Sequence, residues 1–342
     1  MKIAKKLQDL APYDPTTQEF EVVLDANESF LQPEGALRDA IDRALHAVAL
    51  NRYPDPTARA LCAAAARYYG VAPGQVVAGN GSDELISILL SSFLDRGDTV
   101  AIANPDFSMY AFYAHLAELA VADAGKRGLA PDADAMIQTV AESGAALLIF
   151  SNPCNPSGQG LSRAEVLRVV RSCDALVVVD EAYMEFWDQS VADAVGEYPN
   201  LIVLRTCSKA LGLAAARCGF ALANEALIGQ IKKAKSPFNV NSFTQAAALA
   251  ILENPRYISE CIEKILASRE DLYQKLRENG LQPVACQTNF VLIRHARAKE
   301  LWQRLRENGI SVRHIMGDYL RITAGTAEEN ARVAEQLKEA LA

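Results

Sequence analysis

The sequence predicts an α/β protein: a large domain built on a mostly parallel sheet sandwiched by helices, joined to a smaller α+β domain. Three observations predict it. Short runs rich in Val, Ile and Leu alternate with helical patterns through the middle of the chain. Those runs are apolar throughout, as strands are when both faces of their sheet are covered. From about Ser242 the texture changes to long helical stretches with few strands.

The first run, VVAGN (76–80), leads into a helix over about 82–93. TVAIAN (99–104) precedes a helical pattern near 108–119, and ALLIFS (146–151) passes through a Pro, Asn and Gly loop to a helix beginning near Ser162. ALVVVDEA (175–182), LIVLRTCS (201–208) and CGFALA (218–223) supply three more strands. A helical stretch then runs from Ser242 towards Asn279, interrupted at NPRY (254–257), where Pro255 must break or restart it. Strand NFVLIR (289–294), helix AKELWQRLRENG (298–309), strands near 311–315 and 319–323 and a helix from Ala327 follow. The expected division is a large domain over 30–242 and a small domain over 1–29 and 243–342. The N-terminal segment is an arm that reaches either domain or a partner.

Composition narrows the function. Half of the 342 residues are hydrophobic and 22% are charged, an ordinary globular mix with enough chain for a large core. With 34 Lys and Arg against 42 Asp and Glu, the net charge is −8, which argues against a nucleic-acid binder. No run of 18 apolar residues is present to span a membrane. The start, MKIAKKLQDLAPYDP, has no apolar stretch of the kind a secretory signal needs, so a cytoplasmic location is expected. The seven cysteines form no CxxC pair and read as reduced thiols. The four histidines are far apart, and no metal site is expected.

Ligands of open α/β sheets sit at the carboxyl ends of the strands. After 76–80 come Gly81, Ser82 and Asp83; after 99–104 come Phe107 and Tyr110; after 146–151 comes Asn155. Asp180 and Tyr183 close the next strand, and Ser208, Lys209 and then Arg217 follow 201–207. Each has a plainer reading. Gly81 to Asp83 could cap a helix, Asn155 could be a turn residue, Lys209 could be surface charge, and Phe107 and Tyr110 could be core. Together they form one chemical inventory.

That inventory fits pyridoxal phosphate (PLP). The cofactor aldehyde needs an amine for a Schiff base, and Lys209 is the lysine at this edge. The ring nitrogen needs a carboxylate to stay protonated, a part suited to Asp180. Asn155 and Tyr183 offer an amide and a hydroxyl to the phenolic oxygen. Phe107 offers a flat face to the ring. The free N–H groups of Gly81 to Asp83, with Arg217, suit the phosphate.

The stretches NPCNPSG, VVVDEAYMEF and RTCSKALGLAAARCGF resemble the fold-type I, class II aminotransferases. The full pattern, from LAPYDP (10–15) and LDANESF (24–30) through NRYPDP (51–56), GNGSDELI (79–86) and PFNVN (237–241) to LRITAGTAEEN (320–330), is similar to the histidinol-phosphate aminotransferases within them. Threonine-phosphate decarboxylases of the cobalamin pathway share most of these motifs, and other aminotransferases, for example of aromatic amino acids, are a further alternative. The resemblance implies amino transfer from glutamate to imidazole-acetol phosphate, giving 2-oxoglutarate and histidinol phosphate, or its reverse. It implies that Lys209 is the covalent and proton-moving lysine, that Asp180 pairs with the ring nitrogen, and that Asn155 and Tyr183 contact the phenolic oxygen. Ser82, Asp83, Ser208 and Arg217 would surround the phosphate. Tyr53 would reach the phosphate of a neighbouring subunit's cofactor, which implies a homodimer with shared sites. Arg321 would bind the anionic group of the substrate, with Tyr13 and Arg313 at the same pocket. The chain departs from the family at Cys154 and Ser157, where the motif usually reads NPNNPTG, at Phe107, where many relatives have Tyr, and in the short segment from Arg313 to Arg321.

Overall fold

The computed structural model describes residues 3–8, 10 and 18–341. A short strand β1 (Val22–Val23) precedes helices α1 (Gly35–His46) and α2 (Arg59–Tyr69). Then β2 (Val76–Asn80) runs into α3 (Gly81–Ser92), β3 (Thr99–Ile102) into α4 (Met109–Leu116), and β4 (Ala120–Asp123) into the small ribbon β5 (Lys126–Arg127) and β6 (Ala130–Pro131). Helix α5 (Ala133–Ser143), β7 (Leu147–Ser151), α6 (Arg163–Ser172), β8 (Leu176–Asp180), β9 (Leu201–Thr206) and β10 (Cys218–Ala223) continue the alternation. Three helices follow: α7 (Glu225–Ala234), α8 (Ser242–Leu252) and α9 (Pro255–Glu278). The chain ends with β11 (Pro283–Val284), β12 (Phe290–Arg294), α10 (Ala298–Glu307), β13 (Ile310–Ser311), β14 (Arg313–Ile315), β15 (Tyr319–Thr323) and α11 (Ala327–Leu341).

Seven strands form the main sheet in the order β2-β10-β9-β8-β7-β3-β4. β10 is antiparallel to both its neighbours, and the remaining pairs are parallel. This is the expected α/β architecture. Successive strand residues feed opposite faces. Val177, Val179, Leu201 and Val203 pack with α2, α5, α6 and α8, whereas Val178, Ile202 and Leu204 pack with α3, α4 and α7. Burial on both faces is why these strands carry no polar alternation. β4 went unread in the sequence: it is an edge strand, three of its four residues are exposed, and nothing demands an apolar run there.

The second sheet is antiparallel, in the order β11-β12-β15-β14, and packs with α9, α10 and α11 through Leu272, Leu301, Leu305, Val333 and Leu337. β1 pairs with β13 and buries Val22 and Leu24 in the same cluster. From there residues 25–29 cross towards the main sheet, where Asp25, Ala26 and Asn27 line a cavity. Pro255 restarts the helix as expected: it is the first residue of α9, where its missing N–H costs no hydrogen bond.

Candidate active site

The cavity is about 480 Å³ and opens at the carboxyl edge of the main sheet, facing the β14–β15 hairpin. Among the residues singled out from the sequence, Ser82, Asp83, Phe107, Asn155, Asp180, Tyr183, Ser208, Lys209, Arg217, Arg313 and Arg321 line it. They come from the ends of β2, β3, β7, β8 and β9, from the residue before antiparallel β10, and from the hairpin. Parallel order puts the first five ends on one edge, and the reversal of β10 brings Arg217 to the same place.

Lys209 is half-buried, and its Nζ donates to the Ala26 carbonyl at 2.9 Å. Burial lowers its pKa to about 8, assisted by the Arg321 and Arg217 guanidinium groups and opposed by Glu28 and Asp83. Asp180 is buried at the last position of β8. Its Oδ2 accepts the Tyr110 hydroxyl at 2.8 Å and its Oδ1 accepts the Ala182 N–H at 3.1 Å. Burial pushes its pKa up to about 7, and the Asp106 and Asp83 carboxylates add to the push while these two hydrogen bonds oppose it. A carboxylate raised this far gains its charge readily only beside a cation.

The turn between β2 and α3 is closely packed. Gly81 has φ +79°, and a Cβ there would lie 2.8 Å from Arg217 Nη2. A Cβ on Gly219 would lie 2.3 Å from the Ser82 backbone nitrogen. Only glycine at both places lets β10 and Arg217 approach the first N–H groups of α3, which have no helical acceptor. Arg217 Nη2 is also 3.7 Å from Asp83 Oδ2. Ser208 is buried and its N–H donates to Thr206 Oγ1 at 3.2 Å.

Across the cavity, Arg321 is buried. It donates through Nη1 to Asn155 Oδ1 and through Nη2 to the Asp25 carbonyl at 2.6 Å, while its Nε has no partner among the described residues. Arg313 is exposed and sits directly opposite Arg321 in the β14–β15 register. Like charges facing across a strand pair repel unless an anion lies between them. Among the described residues, neither arginine forms an ion pair with a carboxylate.

Several expected residues are placed differently. Asn155 and Tyr183 both line the cavity, but here Asn155 accepts from Arg321 and the Tyr183 hydroxyl accepts from Asn27 Nδ2 at 2.8 Å. Gly81 shapes the turn without lining the cavity. Tyr53 lies outside the cavity of its own chain, 82% exposed and stacked on Phe238 at 4.6 Å. Tyr13 lies outside the described residues.

The family model described as aminotransferase class I and II matches residues 13–337. The chain belongs to that family. A histidinol-phosphate aminotransferase of Clostridium novyi (strain NT) is 39% identical over 341 residues, covering 98% of this chain and 96% of the relative. One from Chlorobaculum tepidum is 38% identical, covering 94% of this chain and 95% of the relative. The crystal structure of a histidinol-phosphate aminotransferase from Sinorhizobium meliloti in complex with pyridoxal-5'-phosphate superimposes with a TM-score of 0.92 at 25% identity, covering all of this chain and 98% of the other. An L-threonine-O-3-phosphate decarboxylase from Porphyromonas gingivalis shares the fold, with a TM-score of 0.77 over 94% of this chain and 99% of the other at 24% identity.

In this aminotransferase Tyr110 was singled out from the sequence without its partner, and two further polar groups at the site, Asn27 and Asp106, escaped the sequence reading. Tyr110 is fully buried, as the core reading allowed, yet its hydroxyl is spent on Asp180. The available signal was its place one helical turn after Phe107. Asn27 ties Tyr183 to the segment after β1 and lies in the quoted LDANESF stretch. Asp106 lines the cavity and accepts from the Ser151 and Phe107 N–H groups, with no sequence signal beyond a charge beside proline.

Proposed function

We propose that this aminotransferase is PLP-dependent and exchanges the amino group of histidinol phosphate with 2-oxoglutarate, as a step of histidine biosynthesis. The donor set fits the cofactor. A half-buried amine of lowered pKa, Lys209, shares the cavity with a buried carboxylate, Asp180, that has no ion-pair partner among the described residues. The α3 N-terminus with Arg217, Ser82 and Ser208 offers a phosphate cradle that Gly81 and Gly219 keep open. Phe107 lies half-buried at the cavity wall as the flat partner.

When bound, PLP supplies an aldehyde that links amines and a ring that draws electrons from the substrate's α-carbon. The chain's residues do the rest. Lys209 Nζ removes the proton from that carbon and later returns a proton. Asp180 would hold the ring's positive charge, and Tyr110 fixes the carboxylate's direction. Asn155 and Tyr183 would hold the phenolic oxygen with an amide and a hydroxyl. Arg321 and Arg313 bind the substrate's anionic group.

The observation that carries the substrate reading is the buried, carboxylate-free Arg321 opposite Arg313, a site for a doubly charged group such as a phosphate ester. The full-length likeness to relatives named for histidinol phosphate supports the same choice. We read the protein as a homodimer, supported by the exposed Leu50, Tyr53, Phe238 and Phe243. A cytoplasmic location is supported by seven unpaired, buried cysteines. The same reading divides the chain into a large domain over 30–242 and a small one over 1–29 and 243–342, with α8 of the latter packed on the large domain's sheet. Purified enzyme is offered histidinol phosphate, threonine phosphate and aromatic amino acids with 2-oxoglutarate, and keto product and carbon dioxide are both followed. The expected result is glutamate from histidinol phosphate with no carbon dioxide. Carbon dioxide from threonine phosphate, or preference for an amino acid without phosphate, overturns the substrate assignment.

A further inference from the structure

Beside the cavity lies a buried cluster that the proposed reaction does not use. Cys154, the departure in the NPCNPSG loop, is fully buried, and its Sγ lies 2.7 Å from Lys126 Nζ. Lys126 and Asp106 have side chains only 1% exposed, and Lys126 Nζ is 4.0 Å from Asp106 Oδ2. Lys126 also donates to the Pro105 carbonyl. The amine–sulfur distance is at the short end even for N–H···O hydrogen bonds, which span about 2.7–3.2 Å, and sulfur is the larger atom. The two atoms are too far apart for a direct bond and close enough to be spanned by one oxygen.

We propose that Lys126 and Cys154 form a reversible, oxygen-bridged N–O–S cross-link when the enzyme meets a peroxide. One hydrogen peroxide converts the Cys154 thiol to a sulfenic acid and leaves as water. Lys126, having passed its ammonium proton to Asp106, then bonds through nitrogen to the sulfenic oxygen. That nitrogen and that oxygen each lose one hydrogen, and a second hydrogen peroxide takes up both with their electrons and becomes two waters. A thiol reductant returns the thiol and the amine. The oxidant reaches the cluster past Asp106 and Ser151, which both line the cavity. Burial and the Asp106 carboxylate hold the thiol in its protonated form, so the reaction is slow and needs oxidant in excess.

The link would act on the site through two groups. It would tie the loop holding Asn155 to β5, and it would remove the positive charge beside Asp106. Asp106 is one of the carboxylates that already push Asp180 upward, and its Oδ2 accepts the Ser151 N–H that begins the loop. The cross-linked enzyme therefore turns over several-fold more slowly.

The test uses holoenzyme purified under reductant and then titrated with hydrogen peroxide, followed by tryptic mass spectrometry and activity. The expected product is a pair of peptides joined at Lys126 and Cys154. Trypsin does not cut after a bridged Lys126, so that peptide runs through Arg127; the joined mass is the sum of this longer peptide and the Cys154 peptide plus one oxygen less two hydrogens, and the product disappears with dithiothreitol as activity returns. Cys154→Ser should keep basal activity and lose the reversible, peroxide-dependent fall. Lys126→Met leaves Asp106 buried without its cation and is used only if it folds; the peptide map of the unmutated enzyme decides the matter without it. A joined pair lacking the extra oxygen overturns the proposal. So does Cys154 as a sulfinic acid with Lys126 free, or both residues unmodified at doses that have oxidised another cysteine.

Discussion

Burial moves the pKa values of Asp180 and Lys209 towards neutrality from opposite sides, and both groups line the cavity the cofactor would fill. For Asp180 the consequence can be measured in protein stripped of cofactor. Its folded-state pKa, about 7, lies above that of a carboxyl in the unfolded chain. The folded protein therefore binds the extra proton between roughly pH 4 and 7, and that contribution is lost as pH rises through the folded value. Above it, the buried charge costs on the order of 4 kcal/mol. Asp180→Asn removes the titration, so the variant's melting temperature relative to the parent should rise between pH 5 and pH 8. Turnover should fall by about 10²–10³-fold, the usual scale for a lost preorganised charge. A difference in melting temperature that does not change with pH would mean that Asp180 is not a raised acid.

The turn from β2 into α3 shows how elements build a site from absent side chains. Gly219 on β10 allows the first turn of α3 to come within contact of a neighbouring strand, and Gly81 leaves room for Arg217. Gly219→Ala places a carbon against the Ser82 backbone nitrogen, which cannot swing aside. Overpacking of this kind costs about 1–3 kcal/mol. PLP affinity, followed by fluorescence titration of the stripped protein, should weaken by about tenfold, with a lower melting temperature. Unchanged affinity and melting together would show that the close approach is not needed. The central strands, the restart at Pro255 and the convergence of Lys209, Asp180 and Asn155 were legible because they follow from burial on both faces, a missing N–H and the strand-end rule. β4 was not, since an exposed edge imposes no pattern. The partners of Tyr110 and Asn27 were not, because a hydroxyl or amide reveals its partner only when distant segments meet.

Across the whole molecule, two sheets frame one cavity, and the segment after β1 runs from the smaller sheet's core to the Lys209 amine. Tyr53 is the residue that this arrangement leaves outside, on the surface with Phe238. If Tyr53 of one subunit serves the cofactor of the other, inactive Tyr53→Ala and Lys209→Ala chains should restore activity when mixed. The mixed dimer then has one site with both residues intact and one with both lesions. Subunit exchange is verified with a size tag. Confirmed heterodimers without activity, from parents that are folded and inactive, would assign Tyr53 to its own chain's site or to none.

The central claim is that Lys209 holds the cofactor, and reduction of the purified holoenzyme with borohydride tests it most directly. The expected result is a yellow protein that bleaches, with a phosphopyridoxyl group found by peptide mapping on Lys209 and no covalent label in Lys209→Ala. A label on Lys126, Lys232, Lys233 or Lys235 instead would contradict it.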